Sequence, residues 1–304
     1  MIHSTLRGGA RRMLPVFALA MLLCVVLLSG CGPASSSGGV PAAAAVNGHS
    51  VSLAQYQEMV RIFELVNNTP QDWQSPGGRT GLAGAQRNAL DFLINLEVMR
   101  QQVAAQHLHP SAKARADARK SIQDSLSANL KQSPNDSRTI ALIHAANADV
   151  LDLYAEQAAD TQALAGSAAI KVSSAHLRAL AATSQADAQK YQQQVQQGAD
   201  FATVAKAHSQ DPSLPAGGDI GTIYQGQLPA NFDTAIFPTS TSAAPAVSYA
   251  IVHDTQFYYV FQISERKQSA LSSITDQQQQ TSLLNTWLAQ QRGQSSVERF
   301  VAIG

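Results

Sequence analysis

The side chains in this 304-residue sequence that could most readily do chemistry are a close histidine pair and two cysteines. His107 and His109 form an isolated His-x-His, which is more typical of a solvated helix end than of a metal site, because metal sites use additional ligands. The sequence contains no His-Glu-x-x-His, no Gly-x-Ser-x-Gly and no Gly-x-x-x-x-Gly-Lys-Ser/Thr motif. No metal and no cofactor are therefore expected.

Both cysteines, Cys24 and Cys31, belong to an apolar segment near the N-terminus. Three arginines and no acidic residue precede an apolar run that begins at Leu14 and spans about 15 residues, the length of a signal-peptide core. A transmembrane helix needs about 20 apolar residues. The run ends in Leu28-Ser-Gly-Cys31, which resembles the bacterial lipobox, whose cysteine is acylated and becomes the first residue of the mature protein. An ordinary signal peptide or an uncleaved anchor is the alternative.

This resemblance implies an exported lipoprotein, with a signal peptide over 1–30, a flexible tether over 31–41 and lipidation of Cys31. Acyl chains would hold it on the outer face of the cytoplasmic membrane or in the periplasm, since each buried methylene contributes about 0.8 kcal/mol. Removing residues 1–30, which carry three arginines and no acid, leaves 18 basic against 21 acidic residues and a net charge of −3. No nucleic-acid partner is therefore predicted. With Cys31 lipidated, disulfides and thiol chemistry are excluded.

The mature chain begins with a strand and then becomes helical. Residues 42–51 indicate a short strand with an Asn47-Gly48 turn. Ser52 and Gln55 form a capping-box pattern that opens a helix. Apolar residues at helical spacing continue to about residue 165 and return at 283–288, so the end of the chain is also expected to be helical.

The middle of the chain has a different pattern, because predicted strands alternate there with short helices. The sequence thus predicts an α+β protein in which a mixed domain, 168–267, is inserted between helical segments. The mixed domain is expected to contain about four antiparallel strands with flanking helices. The helical domain is expected over 42–167, and the C-terminal helix of 268–304 is expected to pack on it.

Glycines at defined spacing lie in the second half of the mixed region. Gly217 and Gly218 permit positive φ in a tight connection, and Gly221 and Gly226 allow bends around a short strand. They follow the run Gly198-Ala-Asp-Phe-Ala-Thr-Val-Ala-Lys-Ala-His-Ser-Gln-Asp-Pro212. In order, spacing and residue type this region resembles the parvulin signature, in which a Gly-x-Asp-Phe helix ends in Ser-x-Asp-Pro and a glycine pair follows.

Two N-terminal stretches carry a looser resemblance. The runs Ala45-Val-Asn-Gly-His-Ser-Val-Ser-Leu53 and Leu90-Asp-Phe-Leu-Ile-Asn-Leu-Glu-Val-Met99 are similar to the chaperone region of the SurA and PrsA foldases. Together the resemblances imply an envelope peptidyl-prolyl cis-trans isomerase. Its partners would be unfolded or proline-containing exported polypeptides.

The resemblance also implies roles for individual residues. Rotation about an X-Pro bond has a barrier of about 18–20 kcal/mol, and lowering it requires neither a nucleophile nor a metal. Leu228 and Phe232, at helical i, i+4 spacing, would form an apolar socket for the proline ring. His176 would organise the hydrogen bonds of the pocket, and Asp211 would stabilise or polarise the rotating amide. Structural alternatives are core residues for the first pair, an ordinary strand histidine and an Asx turn before Pro212.

One position departs from the family pattern. Parvulins usually carry a second histidine in the last strand, where this sequence has Tyr259. Tyrosine can still donate a hydrogen bond, so Tyr259 is included among the candidate catalytic residues. Two hypotheses remain open: an active isomerase, and a holdase whose parvulin domain only binds extended, proline-containing segments. A solute-binding lipoprotein is disfavoured, because the chain lacks the strand–helix alternation of two α/β lobes.

Overall fold

The computed structural model describes residues 41–67, 75–132, 134–238 and 247–303. The predicted signal peptide, most of the tether and Cys31 lie outside these residues. The chain divides into two compact units, one formed by the residues up to Ala163 together with Leu288–Gly304 and the other by Leu164–Trp287. No helix in the described ranges is both long enough and apolar enough to cross a bilayer.

The first unit contains a three-stranded antiparallel sheet in the order β2-β1-β7. Strands β1 (Ala42–Val46) and β2 (His49–Ser52) are joined by the predicted Asn47-Gly48 turn, in which both residues have positive φ. Strand β7 (Val297–Arg299) pairs with β1. The expectation of a helical chain end is wrong for these last residues, because β1 offers them an edge to pair with.

Among the described residues, five helices contribute to the core of this unit: α1 (Leu53–Val66), α2 (Pro76–Ala105), α3 (Ala112–Gln132), α4 (Ser137–Ala145) and α5 (Ala148–Ala165), whose last two residues fall in the second unit. The predicted cap is present, since the Ser52 hydroxyl accepts a hydrogen bond from the Gln55 amide at 3.4 Å. Met59 of α1 and Leu93 of α2 are buried in the same cluster. The helical region predicted up to about residue 165 is interrupted after Ala145, because Asn147 caps a new helix by accepting from the Val150 amide at 2.9 Å.

The second unit contains a four-stranded antiparallel sheet in the order β4-β3-β6-β5, which confirms the predicted fold class. Its strands are β3 (Lys171–Ala182), β4 (Asp219–Tyr224), β5 (Val247–His253) and β6 (Tyr258–Ala270). Its short helices are α6 (Gln185–Gln196), α7 (Phe201–His208) and α8 (Ala230–Ile236).

Strand alternation gives this sheet two different faces. On one, Leu177 of β3 and Phe261 of β6 cluster with Ile236 of α8; we call it the α8 face. On the other, Leu180 and Val260 cluster with side chains of α6 and α7; we call it the α6–α7 face. Both clusters are well buried, so the face on which a strand residue lies determines its surroundings.

The last helix, α9 (Gln277–Gln294), contains the division between the two units, which falls between Trp287 and Leu288. Beyond that point, Arg292 donates to the Asn95 side chain at 2.9 Å and is also paired with Asp91. Residues 268–287 belong to the second unit, whereas the sequence-based boundary placed them with the C-terminal helix of the helical domain.

Candidate functional site

An aromatic socket lies on the α8 face of the sheet. The Phe232 ring stands edge-on to the rings of Tyr259 and Phe261, with centroid distances of 5.5 and 5.7 Å. The Phe257 ring lies 6.1 Å from that of Tyr259. Phe261 is buried, whereas Phe232, Tyr259 and Leu228 are only partly buried against the same cluster. The socket therefore has a closed floor and an accessible rim.

Leu228 and Phe232 both belong to this socket, but not through a shared helix face. Helix α8 begins at Ala230, with Pro229 at its N-cap position, so Leu228 lies in the connection before the helix. Both side chains nevertheless pack against the cluster of the α8 face. The helical-spacing argument is therefore wrong for Leu228, which reaches the cluster of the α8 face from the connection before the helix.

Asp211 lies beside the socket because the segment before it is bound to the end of β3. The Ser209 hydroxyl accepts a hydrogen bond from the Ala181 amide at 3.2 Å, and the Gln210 amide donates to the Ala181 carbonyl at 2.9 Å. The Gln210 side-chain oxygen accepts from the Thr183 amide at 2.7 Å. These bonds fix the backbone one residue before Asp211.

The two carboxylate oxygens of Asp211 have different partners. Oδ1 accepts from the amide and the hydroxyl of Ser213, at 2.8 and 2.7 Å, so the Asx turn considered as an alternative is present. Oδ2 accepts from the Tyr259 hydroxyl at 3.0 Å. The hydrogen bonds from Ser213, and then the one from Tyr259, lower the pKa of Asp211, although burial opposes them. Asp211 is therefore a carboxylate at neutral pH.

Tyr259 is a neutral donor at the rim. Burial raises the pKa of its phenol, and the hydrogen bond to Asp211 and the charges of Asp211 and Asp254 raise it further. Asp254 is itself held as an anion, because the amides of Phe257 and Gln256 donate to it at 2.8 and 2.7 Å and lower its pKa. The rim thus presents one phenol hydroxyl beside an organised pair of carboxylates.

His176 lies away from this group. It pairs across the sheet with Ser264 of β6. Ile263 and Phe261 of the same strand lie on the α8 face, and successive side chains of a strand alternate between faces. Ser264 and His176 therefore lie on the α6–α7 face. Its Nε2 is 3.0 Å from Oδ1 of Asp219, which Arg178 also approaches at 3.7 Å. The assignment of His176 to the pocket therefore disagrees with the strand register, whereas Asp211, Tyr259, Leu228 and Phe232 are brought together.

The β3 positions that do face the socket are alanines. Ala181 pairs with Tyr259 and Ala179 pairs with Phe261, and both alanines are fully buried. On the described parts of β3 and β6, the α8 face therefore carries no histidine. The paired histidines that the parvulin resemblance implies are absent from this sheet face, and Tyr259 with Asp211 forms its polar pair.

The glycine pair brings a loop close to β3. Gly217 and Gly218 have φ of +87° and +75°, which favours glycine. A β-carbon on Gly218 would lie 2.1 Å from the Ala179 carbonyl oxygen, and the Gly218 carbonyl accepts from the Ala179 amide at 2.7 Å. The glycine at 218 is thus required by both its backbone angle and this approach.

Sequence reasoning missed three residues of the site: Phe257 and Asp254 at the rim, and Phe261 in the floor. A signal for the two phenylalanines was available, because they lie two residues on either side of Tyr259 and period-two spacing places them on its side. His107 and His109 lie in the irregular segment after α2, as expected of a helix end. Among the described residues, no group of three or more His, Cys, Asp or Glu side chains is placed to hold a metal ion.

Comparison with known structures gives alignments of low similarity. PrsA from Bacillus cereus aligns with 81% of this chain and 83% of its own at 15% identity, with a TM-score of 0.35. A SurA-like chaperone of Campylobacter jejuni aligns with 85% and 93% at 17% identity and a TM-score of 0.30. An isolated PpiC-type isomerase domain aligns with 32% and 94% at 24% identity and a TM-score of 0.26.

Comparison of sequences is more specific. The chaperone SurA of Cupriavidus metallidurans is 36% identical over 88 residues, which are 29% of this chain and only 17% of that protein. Residues 168–265 match the rotamase family, described as the PPIC-type PPIase domain. This range contains the sheet, the socket and the Asp211–Tyr259 pair, and residues 168–265 therefore belong to the PpiC-type, or parvulin, family of peptidyl-prolyl isomerase domains.

Proposed function

We propose that this protein is a lipid-anchored prolyl isomerase that acts on unfolded exported polypeptides, with its catalytic groups at the socket of the α8 face. The observation that carries the proposal is the hydrogen bond from Tyr259 to Asp211 at the rim of an aromatic socket. It places an apolar surface for a proline ring directly beside a polar pair. Both parts are needed to bind a proline segment and to act on its peptide bond.

The socket would act first by holding the ring. Phe232, Leu228 and the Tyr259 ring offer apolar surface over the buried floor formed by Phe261. Burial of the proline ring contributes about 25 cal/mol for each Å² of apolar surface removed from water. A firmly held ring leaves the carbonyl of the preceding residue as the part that rotates.

The polar pair would then act on the rotating amide. In the planar amide, resonance places negative charge on the carbonyl oxygen, and this charge decreases as the bond twists. An ionised Asp211 next to that oxygen disfavours the planar form more than the twisted form. Tyr259 fixes the direction of the carboxylate, and no covalent intermediate is required.

A second candidate function is a holdase that binds proline segments without turnover. The observation that favours it is the pair of buried alanines, Ala179 and Ala181, at the β3 positions opposite Phe261 and Tyr259. On this face β3 thus offers small apolar side chains where a histidine of the family pair would be expected, and β6 offers Tyr259 in place of the second histidine. Binding in the socket would survive this replacement, because it depends on apolar surface.

A protease-coupled isomerisation assay of the soluble 42–304 fragment, with Phe232→Ala, tests both functions. An active isomerase should lose about tenfold or more in kcat/KM in this variant, equivalent to at least about 1.4 kcal/mol of transition-state stabilisation, because the socket is opened. A holdase should show no wild-type turnover above the uncatalysed rate but should still suppress aggregation of an unfolded client. Wild-type turnover that Phe232→Ala leaves unchanged would place the active site elsewhere.

The anchor is a separate part of the proposal and rests on the Leu28-Ser-Gly-Cys31 motif. Replacing Cys31 by Ala removes the thiol that would be acylated. The full-length variant should therefore remain unprocessed or leave the membrane fraction, measured by electrophoretic mobility and fractionation. Wild-type mobility and partition of the variant would contradict lipidation.

A further inference from the structure

The loop that leads from β4 to the socket is held from several sides. We call residues 224–228 the socket loop, since it ends at Leu228. The Gln225 amide donates to the Ser173 carbonyl of β3 at 2.9 Å. The Gly226 amide donates to Oδ1 of Asp233, next to Phe232 on α8, at 2.6 Å. A displacement of Gly226 would therefore also shift Leu228, at the end of the same loop, and Phe232, next to Asp233.

The remaining support comes from α9, which lies outside the range matched to the isomerase domain. Thr286, in the part of this helix that belongs to the second unit, donates its hydroxyl to the Ser282 carbonyl at 3.1 Å, which fixes the side-chain rotamer. Its γ-methyl group then faces Gly226, where an added β-carbon would lie 2.4 Å from it. The two residues are thus in close approach, and φ of +87° also favours glycine at position 226.

The part of α9 up to Trp287 is firmly attached within the second unit. The Gln280 side chain donates to the carbonyls of Leu271 and Ala165, at 3.1 and 3.3 Å. Leu283 and Leu284 are fully buried. Thr286 is therefore presented to the socket loop by a fixed element.

We infer that Thr286 is a positioning residue of the socket, which holds Gly226 in place so that the hydrogen bond to Asp233 keeps Phe232 and Leu228 oriented for a proline segment. The inference rests on the proposed function of the socket. It extends the functional unit beyond the isomerase domain, because a residue of α9 would set the affinity for the proline-containing ligand.

The test is a double-mutant cycle in the 42–304 protein, with Gly226→Ala, Thr286→Ser and both together. Thr286→Ser keeps the hydroxyl and removes the methyl group, so it makes room for the methyl added by Gly226→Ala. Thr281→Ser is the matched control, because Thr281 makes the same bond to the preceding turn, at 2.8 Å, but is exposed. The measurements are KM and kcat for a proline tetrapeptide, the thermal midpoint, and hydrogen exchange of the amide at position 226.

Gly226→Ala should raise KM about tenfold with a smaller effect on kcat, and the double variant should recover several-fold of that loss, as contacting residues couple. The recovery should be incomplete, because the strain of positive φ remains. Exchange at position 226 should accelerate in Gly226→Ala and slow again in the double variant. Thr281→Ser should change none of these quantities.

Two results would overturn the inference: a double variant as defective as Gly226→Ala in both KM and exchange, or a change in the thermal midpoint alone. A wild-type protein without turnover or peptide binding would instead contradict the proposed function. In that case hydrogen exchange at position 226 alone tests whether Thr286 holds Gly226 in place. Exchange that stays fast in the double variant would then contradict this contact as well.

Discussion

Two carboxylates, one in each unit, show how differently the same side chain behaves in the two regions. Asp160 of α5 is 2% exposed, and its Oδ1 has no hydrogen-bond partner. Burial, and then the charge of Glu156, raise its pKa to about 6, although Arg115 and Arg100 oppose them. Asp211 beside the socket is more exposed, accepts three hydrogen bonds and has a lowered pKa.

The opposite pKa shifts of Asp160 and Asp211 show that hydrogen-bond donors around a carboxylate, and its contact with water, determine whether it is charged. Arg100 is the nearest example, because it donates to both oxygens of Glu156 at 2.9 and 2.7 Å and lowers the pKa of that side chain. Asp160 on the same helix lacks such a partner for Oδ1. The surroundings of Asp160 in the helical unit therefore disfavour its charged form, whereas those of Asp211 beside the socket favour the carboxylate.

Among changes that test this comparison, the largest expected effect is that of Asp211→Asn on turnover. The amide keeps the shape of the carboxylate but removes its charge, so kcat/KM should fall about tenfold, equivalent to about 1.4 kcal/mol. Because the pKa of Asp211 is lowered, the carboxylate persists below its ordinary range, and wild-type activity should not fall as the pH decreases from 7 to about 5. Tyr259→Phe is the matched control, since it removes one donor and leaves the charge. A wild-type profile that falls near neutral pH would contradict the lowered pKa.

The next effect concerns stability, and it arises from a pKa shifted in the direction opposite to that of Asp211. The pKa of Asp160 is raised on folding, so its charged form is disfavoured in the folded state. The contribution of Asp160 to wild-type stability should therefore decrease as the pH rises from about 4 to about 6. Asp160→Asn should raise the free energy of unfolding by about 2 kcal/mol at pH 7.5 and change it little at pH 4.

Denaturant unfolding followed by helical circular dichroism at the two pH values measures this effect. Asp124→Asn is the control, because Asp124 is exposed on α3 and paired only with Lys120. An equal effect of Asp160→Asn at both pH values would mean that the carboxyl is neutral or well partnered throughout.

The smallest effect is expected for His176→Ala. Asp219, its partner, is a third carboxylate and lies outside both regions compared above, on the α6–α7 face. Removing the imidazole should therefore leave kcat/KM within about twofold of wild type, as for most surface substitutions. A tenfold loss at an unchanged thermal midpoint would show that His176 acts in the pocket and that the strand register differs from the one described.

The sequence was sufficient for the local features of the isomerase domain. The glycine pair, the Asp211–Pro212 turn and the order of short strands and helices all depend on a few neighbouring residues, and all are present in the structure. The capping of α1 by Ser52 was predictable for the same reason. Leu228 and Phe232 pack against one cluster, although the helix between them begins later than their spacing suggested, and their role as a proline socket stays a prediction.

Features that depend on strand register or on distant partners were decided by the tertiary structure. A shift of one residue in a strand moves a side chain to the opposite face, so no local pattern determined that His176 would lie away from Tyr259 and that Ala181 would face it. Strand β7 exists because β1 offers an edge to three residues that have no strand pattern of their own. The contact of Thr286 with Gly226 joins residues 60 positions apart, and the burial of Asp160 follows from packing that its own helix does not specify. Sequence thus determined which residues turn, cap and bend, and packing determined which of them meet.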